Sequence, residues 1–245
     1  MVTIRSRFYK KGDMVFISHL DLIRVFERAI RRANISVAYT QGFNPHPIMA
    51  FATALGVGVA SEGEYIDIKL DDNMDSGLFM NELNNVLPEG LKIIKSRIIT
   101  DKAKSLMSII CSSTYLVKLE TKKILSETDI RQHIKDLVDR EMIIELKQKR
   151  QRRGRRRKPG FREINIRPFI KSIELLLLDG QKVLLKMHLA AGSRGNLKPE
   201  VVVDKLHELT NLPIEQYKTR VKRLDLFVDR GDKFITPLDK DVWNV

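Results

Sequence analysis

The run Gln41-Gly-Phe-Asn-Pro-His-Pro47 leads into Ile-Met-Ala-Phe-Ala-Thr-Ala-Leu-Gly-Val-Gly58, and together they form a segment of unusual chemistry. Prolines on both sides of His46 restrict the backbone to extended conformations and present the imidazole at a fixed place. Gln41 and Asn44 can donate and accept hydrogen bonds, and Gly42, Gly56 and Gly58 let backbone come close to a ligand. His19 is expected nearby, because the helix it opens and the following strand are consecutive. Two histidines in one place suit acid–base cleavage of RNA. Contact with a ligand or RNA, and a purely structural role at a helix start (His19) and a turn (His46), are the competing readings.

A second segment, Gly192-Ser-Arg-Gly-Asn-Leu-Lys-Pro199, resembles a phosphate cradle. Gly192, Ser193, Arg194, Gly195, Asn196 and Lys198 precede a helix whose N-terminus favours anions. The segment is neither a Walker A motif nor a dinucleotide fingerprint, so nucleotide hydrolysis is not indicated. Ordinary turn and cap chemistry explains the glycines equally well. Arg24, Arg28 and Arg31 recur at helical spacing as a third candidate surface, either for phosphate contact or as a solvated face.

The strongest signal is electrostatic. The chain of 245 residues carries a formal net charge of +13, and residues 147–158 hold nine basic residues in twelve. These are Lys147, Lys149, Arg150, Arg152, Arg153, Arg155, Arg156, Arg157 and Lys158; the other 233 residues carry only +4. A polyanion is the obvious partner, because each phosphate neutralised releases counterions. Arginine dominates, which favours forked contacts to phosphate. A solvated loop, an acidic protein and a membrane surface are the alternatives. With no aromatic residue inside the run, base stacking is not indicated there.

Other chemistries are excluded by composition. Cys111 is the single cysteine, so neither an intrachain disulfide nor a cysteine-based zinc or iron–sulfur site can form. Between Ile110 and Ser112, without a basic neighbour, its thiol reads as buried or incidental. No close His/Asp/Glu cluster beyond His19-Leu-Asp21 suggests a metal. No apolar run spans a bilayer, and the start Met1-Val-Thr-Ile-Arg5 reads as a strand, so a cytoplasmic, non-membrane protein is expected.

The elements that must position these groups read as an α+β plan. Residues 3–10 alternate as a strand. Ser18 and Asp21 form a capping-box pair, and Leu22, Val25, Phe26, Ala29, Ile30 and Ala33 make one apolar helix face. Residues 35–39 read as a strand, 40–62 as a loop, 64–70 as a strand, 75–87 as a helix and 91–99 as a strand. This is the ferredoxin-like β-α-β-β-α-β order. A connector at 101–113, whose 106–110 stretch can dock on a core, leads to a second round: strand 114–119, helix 127–140, strand 142–147, the basic run, strands 163–167 and 170–178, an Asp179-Gly180 turn, strand 183–189, a helix with Pro199 in its first turn, and strand 217–228. The expectation is two tandem ferredoxin-like domains, 1–100 and 114–230, the second with an added hairpin and a basic loop at 147–158. A tail at 231–245 follows, with Trp243 docked on a surface.

Phe16-Ile-Ser-His-Leu-Asp21, Arg28-Ala-Ile-Arg-Arg-Ala33, Tyr39 through Pro47, Gly56 through Tyr65, and Ala191 through Glu200 resemble the radical-SAM-associated (radical-SAM-linked) protein family of bacteria. Members more often carry Pro-Leu-Gly where this chain has Ala54-Leu55-Gly56. The resemblance implies a gene neighbour or fusion partner that is a radical S-adenosylmethionine enzyme, often near genes for RNA processing or ribosomal proteins. Lacking the three-cysteine motif, this chain is not that enzyme; S-adenosylmethionine and the iron–sulfur cluster are expected in the partner, and no cofactor in this chain. The leading expectation is therefore an RNA-binding accessory subunit presenting transfer or ribosomal RNA for modification. One alternative is a metal-independent endoribonuclease, since the plan is similar to that of CRISPR RNA-processing endoribonucleases. The other is a protein-only adaptor.

Overall fold

The structure is a computed structural model that describes residues 1–100, 103–148, 160–193, 195–231 and 233–242. The chain is α+β and forms two compact units: residues 1–116 with 191–195 and 220–245, and residues 117–190 with 196–219.

In the first unit the elements are β1 (Val2–Lys10), α1 (His19–Arg32), β2 (Met49–Phe51), β3 (Ala60–Leu70), α2 (Ser76–Val86), β4 (Leu91–Ile99), α3 (Leu106–Ile109) and the first part of β5 (Ile110–Glu120). The strand order is β4-β1-β3, with β2 also on β3, and these pairings are antiparallel. Helices α1 and α2 bury Leu22, Phe26, Ala29, Ile30, Phe79 and Leu83 against Ile4, Phe8, Ile66 and Ile68. Phe8, Phe26 and Phe51 meet edge to face, with ring centroids 5.1–6.1 Å apart.

Ser18 caps α1, its Oγ accepting from the Asp21 amide. The Asp21 carboxylate accepts from the Ser18 hydroxyl, so the expected capping box is one-sided. The expected strand at 35–39 is also corrected. Val37 and Tyr39 make only isolated bridges, to Leu70 and Pro47, and the strand is β2, inside the stretch read as loop. Pro45 and Pro47 lack N–H groups and suit a turn rather than a ladder. The first free run after them, Met49–Phe51, takes the place beside β3.

The second unit comprises the end of β5, α4 (Glu127–Val138), β6 (Ile144–Gln148), β7 (Phe161–Asn165), β8 (Ile170–Asp179), β9 (Lys182–Ala190) and α5 (Pro199–Thr210). Its strand order is β5-β9-β8, and β6 and β7 form a separate two-stranded ribbon. The apolar faces of α4 (Ile130, Ile134, Leu137) and α5 (Val202, Val203, Leu206) are buried, as are alternate residues of β9 from Val183 to Leu189. Here Ser126 and Asp129 complete a reciprocal capping box. β10 (Arg220–Asp229) and β11 (Phe234–Ile235) return to the first unit. There β10 runs parallel to β3, with Lys222 opposite Ala60, which makes the sheet mixed. No helix among the described residues is long and apolar enough to cross a membrane.

Candidate nucleic-acid interface

The first-unit site is built on α1. Its apolar stripe faces the core, so Arg24, Arg28 and Arg31 are left on the exposed face. The loop of residues 40–46 closes on itself: the Thr40 amide donates to the His46 carbonyl (2.9 Å), and the His46 amide donates to Thr40 Oγ1 (3.0 Å). Gly42 provides the positive φ, 138°, that the turn needs. His46 Nδ1 lies 3.6 Å from Glu27 Oε1 on α1. The carbonyl of the same Glu27 accepts from Arg31 Nε (3.3 Å), and Arg24 and Arg31, three residues before Glu27 and four after it, are its neighbours on that face. The loop is thus seated among the arginines, and two segments far apart in character become one surface. Arg24 is paired with Asp21 at 3.0 Å; Arg28 has no hydrogen bond or ion pair among the described residues. Gln41, Asn44 and His46 are exposed.

Phe43, at the tip of this loop, is fully exposed. Sequence reasoning passed over it, because an aromatic among prolines and glycine reads as packing. Its spacing from the Thr40–His46 closure is the signal that could have placed it in solvent. His19 packs differently: its ring meets Phe51 edge-on at 5.2 Å. It lies eight residues before Glu27, about 12 Å along the helix axis. No hydrogen bond joins His19 and His46.

The second-unit site is the β6–β7 ribbon. Five residue pairs run from Ile144 opposite Asn165 to Gln148 opposite Phe161. The chain between these paired strands is the basic run. Lys149, Arg150, Arg152, Arg153, Arg155, Arg156, Arg157 and Lys158 lie outside the described residues, as does Trp243; only Lys147 of the run is described. Lys147 stands directly opposite Arg162, and like charges in that position destabilise a ladder unless an anion sits over them. The base of the ribbon is well tied down. Asn165 Oδ1 accepts from the amides of Ile143 and Arg167 (3.0 and 3.1 Å). Arg167 donates to the carbonyls of Val138 and Ile170 (2.6 and 3.0 Å), and Glu145 pairs with Lys205 at 3.2 Å.

In the segment read as a phosphate cradle, Gly192 has φ 100°, and a Cβ there would collide with the Ile110 carbonyl oxygen. Packing against β5 therefore explains this glycine. Ser193, Asn196 and Lys198 are exposed and Gly195 is half-buried; Arg194 lies outside the described residues. Lys198 occupies the N-cap position of α5 and makes no side-chain cap.

Charges buried inside the first unit were not read from the sequence at all. Arg223 Nη1 donates to both oxygens of Glu64 (3.0 Å each) and to Thr53 Oγ1 (2.9 Å). Burial pulls the Arg223 pKa down, but Glu64 and Tyr115 more than offset it, so the guanidinium stays charged. Arg5 grips Asp67 through Nε and Nη2 (2.8 and 2.9 Å). Burial holds the Lys10 ammonium below the usual lysine range, with Glu64 opposing. Each acid is matched by a cation from a neighbouring strand, so these groups fix strand register. Among the described residues no group of three or more His, Cys, Asp or Glu side chains could hold a metal ion.

A family model described as an uncharacterized protein conserved in bacteria (DUF2344) matches residues 3–199. No curated protein matches the chain. Among solved structures it is similar to a chain in a Cbf5-Nop10-Gar1 complex, with 11% identity and a TM-score of 0.50, over 97% of this chain and 53% of that one. It is also similar to a chain in an H/ACA ribonucleoprotein bound to a substrate RNA containing 2′-deoxyuridine (9% identity, TM-score 0.47, 90% and 46% covered). A chain of an archaeal box H/ACA Nop10–Cbf5 complex gives 11% identity and a TM-score of 0.45 over 91% and 46%. The chain spans about half the length of these proteins. The first likeness is one of fold.

Proposed function

The chain belongs to the DUF2344 family of bacterial proteins, and we propose that it is an RNA-binding accessory subunit that presents RNA, of the transfer or ribosomal class, to a radical S-adenosylmethionine enzyme. The observation that carries the RNA reading is the ribbon. A run with nine basic residues in twelve leads from Lys147 in β6 toward the strand paired with it, and the ribbon is tied to the end of α4 and, through Glu145 and Lys205, to the middle of α5. A basic connection on a two-stranded ribbon grips nucleic-acid backbone without ordering a large surface. The opposed Lys147 and Arg162 give phosphate a place where its binding relieves repulsion. The exposed arginines of α1 and the loop seated on them form a second basic surface.

The radical enzyme as partner rests on the sequence resemblance alone. Tandem ferredoxin-like organisation is supported by the strand orders. In the first round β1-α1-β2-β3-α2-β4 gives β4-β1-β3 with β2 on β3. In the second, β5, α4, β8, β9, α5 and β10 follow in the same order along the chain, with the β6–β7 ribbon inserted after α4. The separate partners of His19 and His46 favour an accessory role over cleavage by a histidine pair. The test is a crosslinked pull-down of the chain from its native cell at low and high salt, with RNA sequencing and proteomics on one eluate. Enriched RNA lost at high salt, together with a radical enzyme, is the expected result. A radical enzyme without RNA would leave a protein adaptor, and RNA without that enzyme would remove the accessory role.

A further inference from the structure

We propose that the tip of the loop at residues 40–46 binds an unpaired RNA nucleotide, with its base stacked on Phe43 and the neighbouring phosphates on Arg24 and Arg31; this rests on the RNA reading above and specifies the form of RNA.

Three observations converge. Phe43 is fully exposed, so its ring contributes nothing to the core that Phe8, Phe26 and Phe51 build. The loop that carries it is nonetheless held: Thr40 and His46 exchange two hydrogen bonds, prolines fix the backbone on both sides of His46, and His46 rests on Glu27. An aromatic ring on a stiffened loop has little ordering entropy left to lose on binding. The loop also stands on the basic face of α1. Three residues of chain keep the Phe43 Cα within about 11 Å of that of His46, whose imidazole lies beside Glu27, and Arg24 and Arg31 flank that foothold.

An exposed ring beside guanidinium groups fits a splayed nucleotide. Every base offers a π-face, and a duplex hides those faces within its stack. A protein segment docking on Phe43 would instead find cations around an apolar tip, an arrangement that asks for acidic neighbours on that segment. Asn44 and Gln41, exposed on the same loop, supply donors and acceptors for a base edge.

The test uses the full chain and two probes, a short fluorescein-labelled oligouridylate and an RNA duplex of equal length, titrated at one salt concentration. Phe43→Ala is expected to weaken single-strand binding on the order of tenfold, the contribution of one base stack, and to leave duplex binding unchanged. Phe43→Tyr should restore single-strand affinity. Because the ring is wholly in solvent, neither change threatens the fold. Equal binding by wild type and Phe43→Ala, or an equal loss for both probes, would overturn the stacking site while the RNA reading stands. Loss of a co-purified protein in Phe43→Ala with RNA binding intact would reassign the tip to protein docking. If the wild-type chain binds neither probe, the RNA reading fails and this site fails with it.

Discussion

Glu64 and Arg223 show how much of this molecule depends on pairs that no local pattern announces. Both side chains are almost wholly buried. Removing one partner strands the other charge in the interior, which costs about 3–5 kcal/mol. Glu64→Ala should therefore lower stability by that amount in urea unfolding. The double change Glu64→Leu with Arg223→Met should recover most of the loss; a single variant as stable as wild type would show that the pair is not structural. His188 makes a second residue-scale prediction. Burial, then Lys171 and Lys186, hold its imidazole below the usual value near 6.5, with Glu174 opposing. The unfolded chain then takes the proton first. The stability His188 contributes is complete above about pH 6.5 and is lost as the pH falls through the lowered folded value. His188→Gln should flatten stability between pH 7 and the acid side of that window, read by thermal melts across pH. An unchanged slope would remove His188 from the acid response.

At the scale of elements, each device can be traced to a residue. Gly192 permits close approach to Ile110 at positive φ, so Gly192→Ala should destabilise by about 1–3 kcal/mol through backbone strain, visible as a lower melting temperature. A neutral result would mean the segment simply shifts. The helices were legible in the sequence because periodicity and caps are local: the apolar face of α1, Asp75 at the start of α2, and Pro199 at the start of α5. The strand at 35–39 was misread because its alternation is genuine but its pairing is claimed elsewhere; only the tertiary neighbour decides that β2 takes the place beside β3. The candidate site was legible by parts. The arginines of α1 and the loop at 40–46 were read separately, and their juxtaposition through His46 and Glu27 is a tertiary fact. Phe43 was passed over because exposure cannot be read from residue type. The ribbon was half visible: strands on both sides of the basic run were expected, but not that they pair with each other.

On the scale of the whole chain, charge is segregated rather than spread. Residues 147–158 carry nine of the basic residues, and the rest of the chain is only mildly cationic at +4. Such segregation predicts a distinctive response to salt. A chain that binds RNA through many phosphate contacts loses affinity in proportion to log salt, with a slope of about −0.7 per phosphate for single strands. The most direct measurement is the affinity of the full chain for a single-stranded RNA across a salt series, compared with a variant in which Arg152, Arg153, Arg155 and Arg156 are replaced by serine. These four lie outside the described residues. The account predicts salt-sensitive binding by wild type and a slope shallower by about 3 in the variant. Wild-type binding whose slope is untouched by the four replacements would contradict the claim that the basic ribbon is the RNA grip.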